Sequence, residues 1–284
     1  MPARTSSIHT FRDLAADAAA HAHVPYSNRP EAVVLVLRDG RWIPGVRVES
    51  ASFSLTLSPL LNAVTTAVAM EAGPIAAAVG TRPFRPSELA FAASAVGLAG
   101  FNRQAPDVLS AACDLPAAAE RISPFVAGIE DAAPSRGSGT GSVEPSLPVT
   151  GLSSGDALSL ARRIAGRAHA PASDFPVGCL LEISGAGYIP GVNVEHEDWM
   201  HILCAERNAI GTAVSFGYRS IAALYLCCPD APGCTPCGAC RQLMAELAPT
   251  STLWMDGENA SPATSSPVAL LPSFYAGPRF LSNT

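Results

Sequence analysis

HILCAERNAIG (201–211) and GCTPCGACRQL (233–243) decide how this chain is read. Cys204 and Glu206 stand in the first stretch, and Cys234, Cys237 and Cys240 in the second. Cys204, Cys237 and Cys240 each fall at a predicted helix start. Unpaired amides and the helix dipole stabilise a thiolate there, and the thiolate is the form that binds metal.

C-x-x-C lets two sulfurs reach one ion from a single turn, and Cys204 supplies a third ligand. Three protein ligands leave the fourth tetrahedral position of a zinc ion open, as in catalytic sites, whereas four close it as in structural ones. Glu206, two residues from Cys204, hangs beside such an ion without ligating it. Cys234 keeps two other readings open. It completes a four-cysteine structural site, or, in CTPCGAC (234–240), a run like that of iron–sulfur proteins, although Met244 stands where the fourth cysteine would. Cys179, Cys227 and Cys228 read as core residues of strands.

The chain repeats itself at an offset of 146 without gaps. AHVPYS (22–27) matches AHAPAS (168–173), WIPGVRVES (42–50) matches YIPGVNVEH (188–196), and LLNAVTTAV (60–68) matches ERNAIGTAV (206–214). The differences are chemical. Ser58 stands for Cys204, Leu60 for Glu206 and Arg47 for Asn193, and no C-x-x-C follows residue 80. The first copy reads as scaffold and the second as the working site. Gly, Ser and Pro crowd residues 132–155, which read as a flexible linker between a degenerate domain (1–131) and a metal-binding domain (156–284).

In the second copy, residues 156–170 carry a helical apolar stripe on Ala157, Leu160, Ala161, Ile164 and Ala168, with Ser154 or Asp156 as N-cap. Strands are predicted at 176–183, 187–195, 220–228 and 251–255, and helices at 204–216 and 238–248. The order α-β-β-α-β-α-β implies a mixed sheet with mostly parallel later strands.

Bulk properties narrow the function. The 284 residues, 48% hydrophobic and 15% charged, are enough for a packed core and two domains of ~100–200 residues each. A net charge of −6 argues against nucleic acid as a partner. All 18 basic residues are arginine, which excludes Schiff-base lysine chemistry and a P-loop lysine. With no secretory signal, clustered cysteines point to metal or catalysis rather than disulfides. No apolar run is long enough to span a membrane, and a cytoplasmic protein is expected.

C-A-E followed by P-C-x-x-C, here CAERNA (204–209) and PCGACRQ (236–242), resembles the zinc-dependent cytidine deaminases. The resemblance covers about residues 156–280, and the degenerate copy covers much of 10–130. It implies a three-layer α/β/α fold with a mixed five-stranded sheet, here duplicated, and one zinc ion per chain in the C-terminal domain. It implies an activated water that attacks C4 of cytosine while Glu206 shuttles protons. Cytidine and deoxycytidine would become uridine and deoxyuridine, a step of pyrimidine salvage. Asn193 and Glu195, the N-x-E of GVNVEH (191–196), would receive the ribose hydroxyls, and Phe175 would line the base. A backbone carbonyl of Cys204 or Ala205 would hold the amino group. Tyr275 or Phe274, in ALLPSFYAG (269–277), would close a pocket, sometimes a neighbouring subunit's. Arg207 and Arg241 would hydrogen-bond the sulfurs and offset their charge. Assembly would be a homodimer imitating a tetramer of single domains.

Two departures stand out. EHEDWMH (195–201) is bulkier and more charged than the family's usual residues, which is expected to reshape the sugar side of the pocket. The working copy also comes second rather than first. A modified or antibiotic cytosine nucleoside as substrate, and a non-catalytic zinc-stabilised scaffold, remain alternatives.

Overall fold

A computed structural model describes residues 2–111, 115–127, 148–257 and 261–276. The first copy runs α1 (Pro2–Ala19), β1 (Ala32–Leu37), β2 (Trp42–Val46), α2 (Pro59–Ala69), β3 (Ile75–Gly80), α3 (Pro86–Ser94), β4 (Asn102–Ala105) and β5 (Val108–Ser110). The second runs α4 (Ser154–Ala165), β6 (Gly178–Ile183), β7 (Gly187–Val192), α5 (Ala205–Ser215), β8 (Ile221–Cys227), α6 (Gly238–Leu247), β9 (Thr252–Met255), β10 (Ala263–Ser265) and α7 (Pro267–Leu270). Each builds a five-stranded sheet, ordered β2-β1-β3-β5-β4 and β10-β9-β8-β6-β7.

Side-chain alternation makes the layers. On one face of the second sheet, Leu180, Tyr188, Tyr225 and Cys227 pack against Ala157, Leu160, Ala161 and Ile164 of α4. On the other, Cys179, Leu181, Ile183, Leu224 and Leu226 pack against α5 and α6. Both faces are covered, so the strands are apolar almost throughout. Each fully buried Leu or Ile contributes about 1.5–3 kcal/mol. α4 starts two residues before the expected position. Ser153 caps it by accepting from the Asp156 amide, and Arg162 and Arg163 lie in its last turn, where cations suit the helix dipole. Of the expected linker, 132–147 lies outside the described residues, while 148–153 is hydrogen-bonded to the fold through Val149 to Val126 and Leu152 to the Tyr188 hydroxyl.

The two copies meet through α2 and α5. Every residue of α5 is buried, including Asn208, Thr212 and Ser215, so this helix has no solvent face. Thr66 and Thr212, equivalent by the 146-residue offset, hydrogen-bond each other at 2.8 Å. Asn62 donates to the Gly211 carbonyl at 3.2 Å, and Asn208 donates to the Thr65 carbonyl at 3.0 Å, which is the reciprocal contact. Within each copy the same amides also reach Val46 and Val192, again equivalents. Equivalent residues touching, flanked by reciprocal contacts, define a local two-fold axis. Gly45 and Gly191, of the repeated IPGV, let the helices close onto their strands. A Cβ there would lie 2.4 Å from the Pro59 carbonyl oxygen or 2.3 Å from that of Ala205.

The copies differ after β3 and β8. In the second, α6 crosses over to β9, which pairs parallel to β8. In the first, α3 leads to a hairpin, and β5 pairs antiparallel to β3. The expected run of parallel later strands therefore reduces to one pair, because β10 returns antiparallel along β9. Replacing Asn208 by Ala strips two buried carbonyls, Thr65 and Val192, of their donor. It is expected to lower stability by about 2–3 kcal/mol, read as a shifted urea midpoint with unchanged slope, while an exposed Arg103→Ala changes it by under ~0.5 kcal/mol.

Candidate metal centre and pocket

Two helix N-termini converge on one point. Cys204 is the N-cap of α5 and Cys237 the N-cap of α6, with Cys240 in the first turn of α6. Cys204 Sγ lies 3.7 Å from Cys237 Sγ, which lies 3.5 Å from Cys240 Sγ. All three sulfurs fall within 4.8 Å of one another, and no fourth ligating side chain belongs to the group among the described residues. Sulfurs on a tetrahedral zinc with bonds of about 2.3 Å sit about 3.8 Å apart, so the three thiols fit that ion. The Cys237 thiolate is favoured by the neighbouring thiols of Cys204 and Cys240 and by the amides opening α6. Cys234 lies outside the group, which leaves the four-cysteine and iron–sulfur readings without their extra ligand.

Glu206 is 3% exposed, in the first turn of α5. Burial pushes its carboxyl up to about 7, against the pull of its own backbone amide. The first copy inverts each feature. Ser58 caps α2 by accepting from the Leu61 amide, and Leu60 fills the glutamate's place in the core. A ligand has become a cap, and an acid has become packing.

The sulfurs and Glu206 open into a cavity of about 350 Å³. Phe175, Asn193, Glu195 and Ala205 line it as well, together with Ser173, Val177, Ile202, Leu226, Cys228, Cys234 and Thr235. Asn193 accepts from the Val177 amide at 2.7 Å and donates to the Phe175 carbonyl at 2.9 Å, leaving one N–H and one lone pair. Glu195 accepts from the amides of Ala172 and Ser173 and from the Ser173 hydroxyl. Burial would raise its pKa, but these bonds hold it below the ordinary carboxylate value. Glu49 makes the same backbone bonds, to Tyr26 and Ser27, so the glutamate braces its loop in both copies. There Arg47 donates to Glu49, and an ion-pair web of Glu31, Arg82, Arg85 and Glu88 fills the adjoining space.

Other expected contacts fall elsewhere. Tyr275 is 57% exposed and not among the cavity's lining residues; its carbonyl accepts from Gln242, and the neighbouring Ala276 carbonyl accepts from Tyr26 of the first copy. Phe274 does not line the cavity either. Arg207 donates to the Leu55 carbonyl of the first copy, and its Nε has no partner among the described residues. Arg241 donates to the Pro236 and Leu270 carbonyls and the Thr235 hydroxyl, lacing the C-x-x-C loop rather than its sulfurs. Of EHEDWMH, only Glu195 borders the cavity. His196 and His201 turn away to stack on Phe91 of α3. Cys179 and Cys227 are core residues as expected, but Cys228, just past the end of β8, lines the cavity. A more open groove of about 670 Å³ lies between the copies and is lined, among the described residues, by no cysteine.

Replacing Cys237 by Ser leaves two thiols on a site that needs three. Metal analysis of the purified protein is expected to fall from about one zinc per chain to a small fraction of that, with lower thermal stability. A Cys237→Ser protein with full zinc and unchanged stability contradicts the ligand assignment.

Residues 154–255 match the family model described as cytidine and deoxycytidylate deaminase zinc-binding region, and residues 2–79 match a second model of the same description. A cytidine deaminase of Halalkalibacterium halodurans is 40% identical over 85 residues, which is 30% of this chain and 64% of that protein. One of Sporosarcina psychrophila is 41% identical over 81 residues, 28% of this chain and 60% of that protein. One of Mycoplasma pneumoniae is 34% identical over 93 residues, 32% of this chain and 69% of that protein. The chain thus spans less than two thirds of the first two relatives. The crystal structure of cytidine deaminase from Burkholderia pseudomallei aligns at 33% identity over 42% of this chain and 95% of that one, with a TM-score of 0.40. The chain belongs to the zinc-binding cytidine and deoxycytidylate deaminase family, with one matching region in each half.

Proposed function

We propose that the second copy hydrolyses the 4-amino group of cytidine and deoxycytidine, giving uridine or deoxyuridine and ammonia. The observation that carries this is a buried glutamate beside three converged thiols in a cavity of about 350 Å³, within the range of small-molecule sites. Zinc held by Cys204, Cys237 and Cys240 would lower the pKa of a water toward ~7. Glu206 would take a proton from water and deliver it to N3 of the base as C4 is attacked, then carry the proton of the new C4 hydroxyl to the departing amine as the C–N bond breaks. Phe175 flanks the base, and Asn193 and Glu195 offer their remaining acceptors and donor to the sugar diol. Backbone carbonyls at the opening of α5, Cys204 or Ala205, hold the amino group.

The cavity also argues for the form of the substrate. Among the described residues no arginine lines it, and Glu195 puts a negative charge on the sugar side. A 5′-phosphate would meet no cation among those residues, so the free nucleoside is favoured over the nucleotide.

Loss of the cytidine ultraviolet band tests both points. Wild type is expected to consume cytidine far faster than deoxycytidylate, and Glu206→Gln is expected to lose roughly 10²–10⁴-fold in kcat while keeping its zinc. Near-normal turnover by Glu206→Gln, or equal rates on the phosphorylated substrate, contradicts the assignment.

Assembly is proposed as a homodimer. Phe53 and Trp199 are equivalents at the 146-residue offset, presented by the short 3₁₀ turns Phe53–Leu55 and Trp199–His201, and they are 68% and 85% exposed. Met200 and Tyr275 are exposed as well, and burying such apolar side chains would favour a second chain. Light scattering is expected to give twice the chain mass; a monomer mass contradicts this.

A further inference from the structure

Five cysteines line the pocket, and the metal group accounts for three. We propose that the other two, Cys228 and Cys234, form a thiol-modification site: a dithiol that a peroxide converts to a disulfide, narrowing the pocket. The effect on turnover rests on the deaminase reading, whereas the cross-link itself does not.

The loop between them brings the two residues together. β8 ends at Cys227, and the chain then turns back through hydrogen bonds from the Ala231 amide to the Cys228 carbonyl, 3.1 Å, and from the Cys234 amide to the Ala231 carbonyl, 3.2 Å. Gly233 takes a left-handed φ of +89° and donates to the Asp256 carbonyl, which ties the turn to the end of β9. Both cysteine side chains line the same cavity, and after burial the nearby Cys234 thiol further disfavours ionisation of Cys228.

The first copy offers a partial parallel. CPDAPGC (228–234) lies at the 146-residue offset from RPFRPSE (82–88), with both prolines in register. The Glu88 amide donates to the Arg85 carbonyl at 3.0 Å, the counterpart of the Cys234–Ala231 bond. The end residues touch there too, because Arg82 and Glu88 form an ion pair at 2.7 Å. The corresponding end residues thus also meet in the first copy, although there the chain enters α3 at Pro86, whereas the second copy turns at Gly233 and starts α6 only at Gly238.

Accessibility sets the order of the chemistry. Both cysteines line the pocket wall, where Cys234 is half-buried and Cys228 buried. Peroxide oxygen transfers to the Cys234 sulfur: the S–O bond forms, the O–O bond breaks and one water leaves. The Cys228 sulfur then attacks: the S–S bond forms, the S–O bond breaks and a second water leaves. Two thiols lose two electrons and two protons to one peroxide, and a thiol reductant reverses the step by exchange. A disulfide brings its Cβ atoms to about 3.8 Å. That draws Cys234 toward Cys228, and with it Thr235, another lining residue just before the metal ligand Cys237.

The test treats zinc-loaded, full-length protein with equimolar hydrogen peroxide, blocks the remaining thiols and cleaves before Asp230, which separates the two cysteines. Expected are a mass loss of about 2 Da, peptides from the two sides of Asp230 joined until reduced, and unchanged zinc content. Cytidine turnover is expected to fall several-fold and to return with dithiothreitol. Cys234→Ser and Cys228→Ala, each compared with its own untreated rate, show neither the cross-link nor the fall. Cys234 joined to Cys237 or Cys240, zinc released as the thiols oxidise, or both thiols surviving peroxide overturns the site. A cross-link with unchanged turnover overturns the narrowing. Because the cross-link is read by mass, it appears even in a protein that turns over no cytidine, and turnover without a cross-link leaves the deaminase reading standing.

Discussion

The buried contact between α2 and α5 is the constraint from which the rest follows. α5 carries Cys204 at its cap and Glu206 in its first turn, and no part of it faces solvent. The side-chain N–H of Asn208 and the hydroxyl of Thr212 find partners on α2 of the other copy. Unpaired, those groups would cost about 1–3 kcal/mol each in the core. The second copy therefore needs the first as a wall. This explains how the first copy could lose its chemistry and keep its fold.

The replaced positions show how such a loss is accommodated. Serine at 58 keeps the helix cap that cysteine supplies at 204, and leucine at 60 fills what Glu206 fills. Where the second copy has a cavity, the first has arginines and glutamates bound to one another. One cross-copy contact reaches near the metal centre, from Arg207 to the Leu55 carbonyl. The scaffold half thereby braces the residue next to Glu206.

Much of this was legible in the residues. The 146-residue repeat located α2, α5 and the paired strands, and the converged thiols came from spacing and helix-start chemistry. What escaped was set by tertiary context. β10, with the sequence ATS, is a three-residue polar edge strand whose pairing to β9 supplies what its composition lacks. Arg207 and Arg241 reach carbonyls because chain segments unrelated in sequence pass within their range. Tyr275 lies outside its own chain's cavity because the tail crosses α6 toward Tyr26. Cys228 read as a strand residue, but β8 stops one residue earlier and the turn places it on the pocket wall. The proline-for-proline match of 82–88 with 228–234 was present in the sequence, and it was the signal that could have paired Cys228 with Cys234.

The central claim is that both copies fold as one body around α2 and α5, with the metal centre resting on the pair. Hydrogen exchange with and without a zinc chelator tests it most directly. The account predicts that removing zinc speeds exchange in Pro59–Ala69 of the first copy as well as in Ala205–Ser215, since α5 cannot loosen without exposing α2. Faster exchange confined to 204–240, with α2 still protected, would contradict it.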